Sequence, residues 1–290
     1  MCDKIKKGLE LTFMKVGYQG AHGTFSEIAV QRYFEGKDIE ARNYTNFVDI
    51  LNDLDAGILD AAMLPVENST TGTIYRTYDL LHEHRTFATG EQFVRISEHL
   101  IGIDGASFSD VKEVYSHPEA LNQCSQFFRQ HPHLKMIPYQ DTAKSVEYIK
   151  NQNDPTKAAL ASFLAAEYYG CPILMKDVND LKSNTTRFLC VEKKMIVQPD
   201  ANKVSLYLVV NHEPGALYQV IKVFAEHKIN MLKLESRPLK GQMFEYCFYV
   251  DFEGNINDDT LKVVLGEIVQ HCVEYKLLGC YSKADSEDIR

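Results

Sequence analysis

The order of its segments constrains this chain more than its composition does. Over the first two-thirds, strand-like and helix-like patterns alternate. Strand patterns at residues 14–18, 58–64, 158–161 and 186–191 are separated by helical ones, and the second is expected to end at Pro65. Thr24 and Glu27 have the spacing of a capping box, with Phe25, Ile28, Ala29 and Tyr33 on one face of the helix that follows. Asn46 and Asp49 open a helix whose apolar stripe is Phe47, Ile50, Leu51 and Leu54. Ser116 and Glu119 are spaced to cap a helix running to about residue 130, another begins near Asp141, and one spans 163–169. Strands separated by helices give an α/β fold with mostly parallel sheets.

Beyond a polar, proline-containing linker at 193–202 the order changes. A strand at 203–210 precedes a helix marked by Leu217, Val220, Ile221 and Phe224 after Pro214. Strands follow at 231–237 and 243–251, the latter alternating Phe244, Tyr246, Phe248 and Val250. Leu261, Val264, Leu265 and Ile268 mark a second helix, and 274–281 a last strand. The order βαββαβ is that of a ferredoxin-like sandwich. Two domains are expected, at 14–192 and 203–282.

The 290 residues suffice for two cores, and 45% hydrophobic with 24% charged residues is ordinary for a globular protein. The net charge of -9 and the lack of a basic stripe argue against nucleic acid. They also mean that an anionic ligand must be held by local donors. No apolar run approaches the ~18 residues of a membrane span, and the opening MCDKIKKGLELTFM lacks a signal-peptide core. Residues 1–13 are expected to be a frayed or alternative start. The seven cysteines, without a CxxC pair, read as reduced thiols and a cytoplasmic protein.

Ligands of open α/β sheets sit beyond the carboxyl ends of strands, at helix N-termini. Three segments fit. GAHGTFS at 20–26 allows close backbone approach before a helix start. Glu67, Asn68 and Ser69 follow a strand and precede Thr71, Gly72 and Thr73. Thr185 and Thr186 open the last strand of the first domain. Together they point to a bound carboxylate or phosphate. His117 reads as organising a helix start and Cys124 as core. The pairs His82/His84 and His131/His133 lack acidic or thiol partners at ligand spacing, so no metal is expected.

Six blocks, in order, resemble the prephenate dehydratase family over residues 14–282: GAHGTFS (20–26), PVENS (65–69) with Gly72, HPEALNQC (117–124), Asp141 to Ala143, AALASFLAAEYYG (158–170) and NTTRF (184–188). One departure is Ala21, where the family commonly has proline. The resemblance implies a two-lobed catalytic domain like a type 2 periplasmic binding protein, with chain crossings near 92–101 and 174–188. It implies conversion of prephenate to phenylpyruvate, water and carbon dioxide. No cofactor is expected, because aromatisation supplies the driving force. Thr186 would stand beside the departing hydroxide, with Asn68 and Ser69 orienting the substrate and Glu67 a second acid where burial favours its neutral form. Gly23, Thr24, Ser26, Thr71, Gly72, Thr185, Arg187 and Phe188 would bind substrate, Arg187 away from the departing carboxylate and Phe188 as wall. Glu67 reads equally as a strand-end residue, and Arg187 as part of a structural ion pair.

The C-terminal module resembles an ACT domain through GALY (215–218) and ESRP (235–238). That resemblance implies feedback inhibition by L-phenylalanine, bound by Asn211, Pro214, Gly215, Ala216, Leu217, Tyr218, Glu235, Ser236, Arg237 and Pro238. It also implies a homodimer or homotetramer with effector sites shared between chains. Two rivals stand beside this reading. Arogenate dehydratase performs the same elimination on a substrate with an amino group. A non-catalytic amino-acid sensor or solute-binding protein would give Thr186 no role.

Overall fold

A computed structural model describes residues 13–239 and 245–284. Residues 1–12, Cys2 among them, and the strand residues Met243 and Phe244 lie outside the described residues. Lobe 1 begins with β1 (Met14–Gln19), α1 (Phe25–Tyr33), β2 (Ile39–Tyr44), α2 (Phe47–Ala56), β3 (Ala61–Asn68), the short β4 (Gly72–Thr73), α3 (Tyr75–Glu83) and β5 (Phe87–Arg95). The chain crosses into lobe 2 as β6 (His99–Ile101), β7 (Glu113–Ser116), α4 (Pro118–Gln123), α5 (Ser125–Gln130), β8 (Lys135–Pro138), α6 (Thr142–Gln152), β9 (Lys157–Ala161), α7 (Phe163–Tyr169) and β10 (Ile173–Met175). It returns to lobe 1 as β11 (Thr185–Glu192). The C-terminal unit comprises β12 (Lys203–Val210), α8 (Ala216–Glu226), β13 (Met231–Pro238), β14 (Tyr246–Glu253), α9 (Asp259–Gln270) and β15 (Cys272–Tyr281).

The lobe 1 strands are ordered β5-β11-β3-β1-β2, and β11 runs antiparallel to both of its neighbours. Lobe 2 has its own sheet, ordered β10-β6-β9-β7-β8. Two sheets joined by two crossings, with a returning antiparallel strand, form the bilobed, solute-binding-protein-like arrangement expected from the sequence. The crossings fall between Arg95 and His99 and between Met175 and Thr185. The C-terminal βαββαβ sheet continues that of lobe 1, because β15 pairs with β5 at Gly279 and Ala88. A Cβ on Gly279 would lie 2.2 Å from the Ala88 carbonyl oxygen, so the backbones meet this closely only because position 279 is glycine.

Local expectations failed where side chains found other partners. The Thr24 hydroxyl donates to the Ala21 carbonyl, and Glu27 accepts from the Gly23 N–H, so no capping box forms. Ser116 is buried and donates to Leu160, while the Nδ1 of His117 accepts from the Glu119 N–H and caps α4. The helix expected to run to residue 130 breaks at Cys124 into α4 and α5. Strand β3 continues through Pro65 to Asn68. His82 and His84 do have acidic partners, supplied by the fold: Glu274 and Asp55, each at 2.7 Å. Among the described residues no helix is long and apolar enough to cross a membrane. The six described cysteines are free thiols.

A buried polar cluster ties lobe 1 to the C-terminal unit. The Arg187 guanidinium donates to Glu91 at 2.7 Å, to Asp251 at 2.7 Å and to the Tyr281 hydroxyl at 2.8 Å. Lys203 donates to Glu91 at 2.8 Å, and the Ser205 hydroxyl to Asp251 at 2.5 Å. Burial works against the charge on Asp251, but Arg187 and Lys203 outweigh it and hold the carboxyl below its ordinary range. Burial likewise opposes the Arg187 charge, and Asp251 leads the groups that overcome it. Desolvated ions are stable only in company, so removing one partner costs about 3–5 kcal/mol. Arg187→Met is expected to lose that much in urea unfolding at pH 7. The lowered Asp251 contributes stability above the unfolded carboxylate value of ~3.9 and loses it as pH falls through its own. The gap between Arg187→Met and wild type should therefore narrow below about pH 4.

Candidate active site

The cleft is set by a register shift. Between Arg187 and Phe188, strand β11 slips against β3, so that Arg187 pairs with Glu67 and Phe188 with Pro65, leaving Val66 as the extra residue. Such a bulge re-aims the side chains beyond it and is a position where proline is tolerated. It brings Asn68 opposite Thr186 on the face that looks into the cleft. Glu67 is left on the other face, toward the C-terminal unit, with Arg187.

The Asn68 side chain has its orientation fixed by its surroundings. Its Oδ1 accepts from the backbone N–H groups of Thr70 and Thr71 at 2.9 and 3.0 Å. Its Nδ2 must then donate, and does so to Thr186 Oγ1 at 2.9 Å and to Asn184 Oδ1 at 2.8 Å. Asn184 passes the connection across the cleft by donating to Gln123 on α4 at 2.9 Å. Among the described residues no hydrogen bond takes the Thr186 hydrogen, so with Asn68 donating to its oxygen that hydrogen can turn into the cavity. Thr186 is 7% exposed.

The cavity measures about 330 Å³ and lies between the lobes. Lobe 1 contributes Thr24, Ser26, Asn68, Thr71, Thr186 and Phe188. The other wall carries His117, Gln123 and the N-terminal residues of α6, Asp141 and Thr142. Among the described residues, no Lys or Arg lines it. The first turns of α1 and α6 open on it, and helix N-termini favour anions through their unpaired N–H groups.

Several expected site residues lie elsewhere. Arg187 is in the buried cluster at the joint, a structural ion-pair member and not a cleft cation. Glu67 pairs with Lys233 at 3.0 Å, on the side away from the cleft. Ser69 and Thr185 bond to each other through backbone and the Ser69 hydroxyl and do not line the cavity. Gly72 sits in the β3–β4 turn with φ +84°. Gly23 is packed on α7, where a Cβ would come within 2.5 Å of the Ala165 Cα. Its carbonyl accepts from Ser162, joining the opening loop to lobe 2. Sequence reasoning missed Gln123 and Asn184 as site residues, although both lie inside the quoted blocks. It also missed Glu98, which lines the cavity from the first crossing and carries no motif.

A second cavity, of about 570 Å³, lies in the C-terminal unit. Asn211, Pro214, Gly215, Ala216, Leu217 and Tyr218 line it, with Gly215 in the left-handed region at φ +87°. Residues 235–238 are not in its lining, but β13 runs beside the β14 residues Tyr246 and Phe248, which are. Glu235 accepts from the Tyr75 hydroxyl at 2.6 Å, and Arg237 pairs with Asp79 at 2.7 Å. Ser236 and Pro238 follow the same strand, paired with Phe248 and Tyr246.

The family model for prephenate dehydratase matches residues 16–196. This chain belongs to the prephenate dehydratase family. The prephenate dehydratase of Lactococcus lactis subsp. lactis (strain IL1403) is 34% identical over 277 residues, spanning 93% of this chain and 98% of its own length. Arogenate dehydratase 2 of Petunia hybrida is 34% identical over 285 residues, 92% of this chain and 71% of the relative. The crystal structure of a prephenate dehydratase from Arthrobacter aurescens in complex with L-Phe superposes with a TM-score of 0.85 at 28% identity, covering 93% of this chain and 90% of that one.

Because Asn68 satisfies four partners at once, its truncation strands buried polar atoms. Asn68→Ala is expected to cost about 1–3 kcal/mol in urea unfolding. An unchanged midpoint would show that the cluster is not held as described.

Proposed function

We propose that this chain is a prephenate dehydratase acting in the interlobe cavity, with Thr186 beside the leaving hydroxyl. The supporting observation is the Asn68–Thr186 pair, which occupies one lone pair of the threonine oxygen and leaves its hydrogen to donate into the cavity. The substrate is a dianion. Loss of the ring carboxylate as carbon dioxide sends its electron pair through the ring, and the hydroxyl opposite leaves as the ring becomes aromatic. Holding the departing carboxylate with a cation would stabilise the ground state more than the transition state. A wall of hydroxyls, amides and helix N-termini avoids that penalty. Thr24, Ser26 and Thr71 are the cleft groups available to the pyruvyl end, and Phe188 closes the wall beneath the ring.

Thr186→Val keeps the shape of the side chain and removes the hydroxyl. A kcat lower by ~10²–10⁴, with KM little changed, is expected, in the range that proton-transfer assistance contributes. A near-wild-type kcat would remove Thr186 from the mechanism. Parallel assays with prephenate and arogenate, following phenylpyruvate and phenylalanine, decide between the two substrates.

The C-terminal cavity is our candidate L-phenylalanine site, on a cytoplasmic enzyme that works as a homodimer or homotetramer. An effector carboxylate would meet the N-terminus of α8 after Pro214. Ser236 and Pro238 neighbour its wall through Phe248 and Tyr246, whereas Glu235 and Arg237 are held at the joint with lobe 1. A valine at 215 must adopt a left-handed backbone at an added cost of order 1–3 kcal/mol, or distort the loop. Gly215→Val is therefore expected to abolish inhibition by phenylalanine while basal turnover persists. Unchanged inhibition would refute the assignment.

A further inference from the structure

The proposed elimination consumes one proton per turnover. Prephenate dianion and a proton give phenylpyruvate anion, carbon dioxide and water. The proton leaves on the departing oxygen. An alcohol such as Thr186 directs a hydrogen bond well, but it is a poor source of the proton, because efficient donors have pKa values near the working pH.

Among the described residues, four acidic or basic side chains line the cavity: Glu98, His117, Glu119 and Asp141. Three are already used. His117 and Asp141 cap α4 and α6 by accepting backbone N–H groups, and Glu119 is exposed and accepts from Gln123. Glu98 differs from them. It is 2% exposed, and among the described residues its Oε2 has no hydrogen-bond partner. The pairing that sets Val94 opposite Thr186 continues through Ile96, whose N–H donates to the Asn184 carbonyl. Alternation from Ile96 then returns Glu98 to the cavity wall, two residues on. The buried Cys124 thiol at the α4–α5 junction feels its charge, as it does those of Asp180 and Lys182 from the second crossing. The carboxylate of Asp180 is taken by Ser125 and the Gln126 N–H, and the Lys182 ammonium donates to the Asp177 carbonyl. The neighbouring His99 accepts from the Asp177 N–H. Burial alone pushes Glu98 up to about 8, so at neutral pH it is an undissociated acid.

We infer that Glu98 is the acid that protonates the departing hydroxyl, while Thr186 holds that oxygen by hydrogen bond. The inference rests on the activity proposed above. As the bond to the ring carboxylate breaks, its pair enters the ring and the C–O pair leaves on oxygen. The O–H bond of Glu98 breaks and its proton completes a water molecule. The residual carboxylate recovers a proton from solvent when product leaves.

The test is the pH dependence of kcat for prephenate with the full chain, wild type against Glu98→Gln, accompanied by thermal melts. Wild-type kcat should fall through a single-proton limb near pH 8. Glu98→Gln should be 10²–10³-fold slower, lack that limb and leave KM within about threefold. The melts report the protonation separately. A carboxyl raised in the fold contributes most below its ordinary value of 4.5 and loses that contribution as pH rises toward 8. The glutamine variant should therefore gain on wild type across that window. A Glu98→Gln enzyme with wild-type kcat and an intact limb overturns the assignment. So does a wild-type profile flat to pH 9.5, which requires no variant to fold. A wild type that turns over no prephenate fails the proposed function instead, so the two failures are separable.

Discussion

Strand β11 has two faces, and period-two alternation gives each a different task. Thr186, Phe188 and Cys190 look toward α1 and the cleft, in one core with Val16, Tyr18 and Val94. Arg187, Leu189 and Val191 look the other way, into the core that lobe 1 shares with the C-terminal unit. The residue proposed to assist the leaving group is thus covalently adjacent to the one that anchors the joint. A slip of one residue would exchange the two sets and place a guanidinium in the cleft and an alcohol among Glu91 and Asp251. Every buried ion in that cluster therefore acts as a register lock for the site behind it.

The same arrangement recurs on β3. The bulge at Val66 separates Glu67 from Asn68, turning one to Lys233 of β13 and the other to Thr186. Lys233 also donates to Thr73, which with Tyr75 hydrogen-bonds Glu235. The ESRP segment is consequently in direct polar contact with the turn that begins at Asn68. A displacement of β13 cannot leave that turn unchanged unless these bonds break. This is contiguity, and it becomes coupling only if an effector binds two arrangements of the joint unequally.

Periodicity made the elements legible in the sequence, while the aim of individual side chains was set by tertiary pairing. The helix at Phe163–Tyr169 and the helix start near Asp141 were readable because each depends on residues three or four apart. The βαββαβ order was readable for the same reason. What the sequence hid depended on pairing across a hundred residues. No local signal marks Val66 as a bulge, so Glu67 and Arg187 looked like cleft residues when the register turns both away. Glu98 was invisible because its meaning lies in what surrounds it. An acidic residue among Ile96, Ser97 and His99 reads as surface until the fold buries it.

The placement of charge follows one rule in both halves of the molecule. Cations are spent at the joint, where Arg187 and Lys203 meet carboxylates and no chemistry occurs. The cleft wall has no Lys or Arg among the described residues; beside its neutral donors stand Glu119 and Asp141, both accepting hydrogen bonds, and Glu98, an acid that burial keeps protonated. For a reaction whose substrate sheds a negative charge as carbon dioxide, a strong cation in the cleft would bind the anion tightly and hold the carboxylate in place. Oriented hydroxyls and amides cost the transition state less, because their bonds weaken little as charge drains from the leaving carboxylate. The price is affinity, and a two-lobed fold offsets it by enclosing the substrate between walls that Asn184 and Gln123 already bridge.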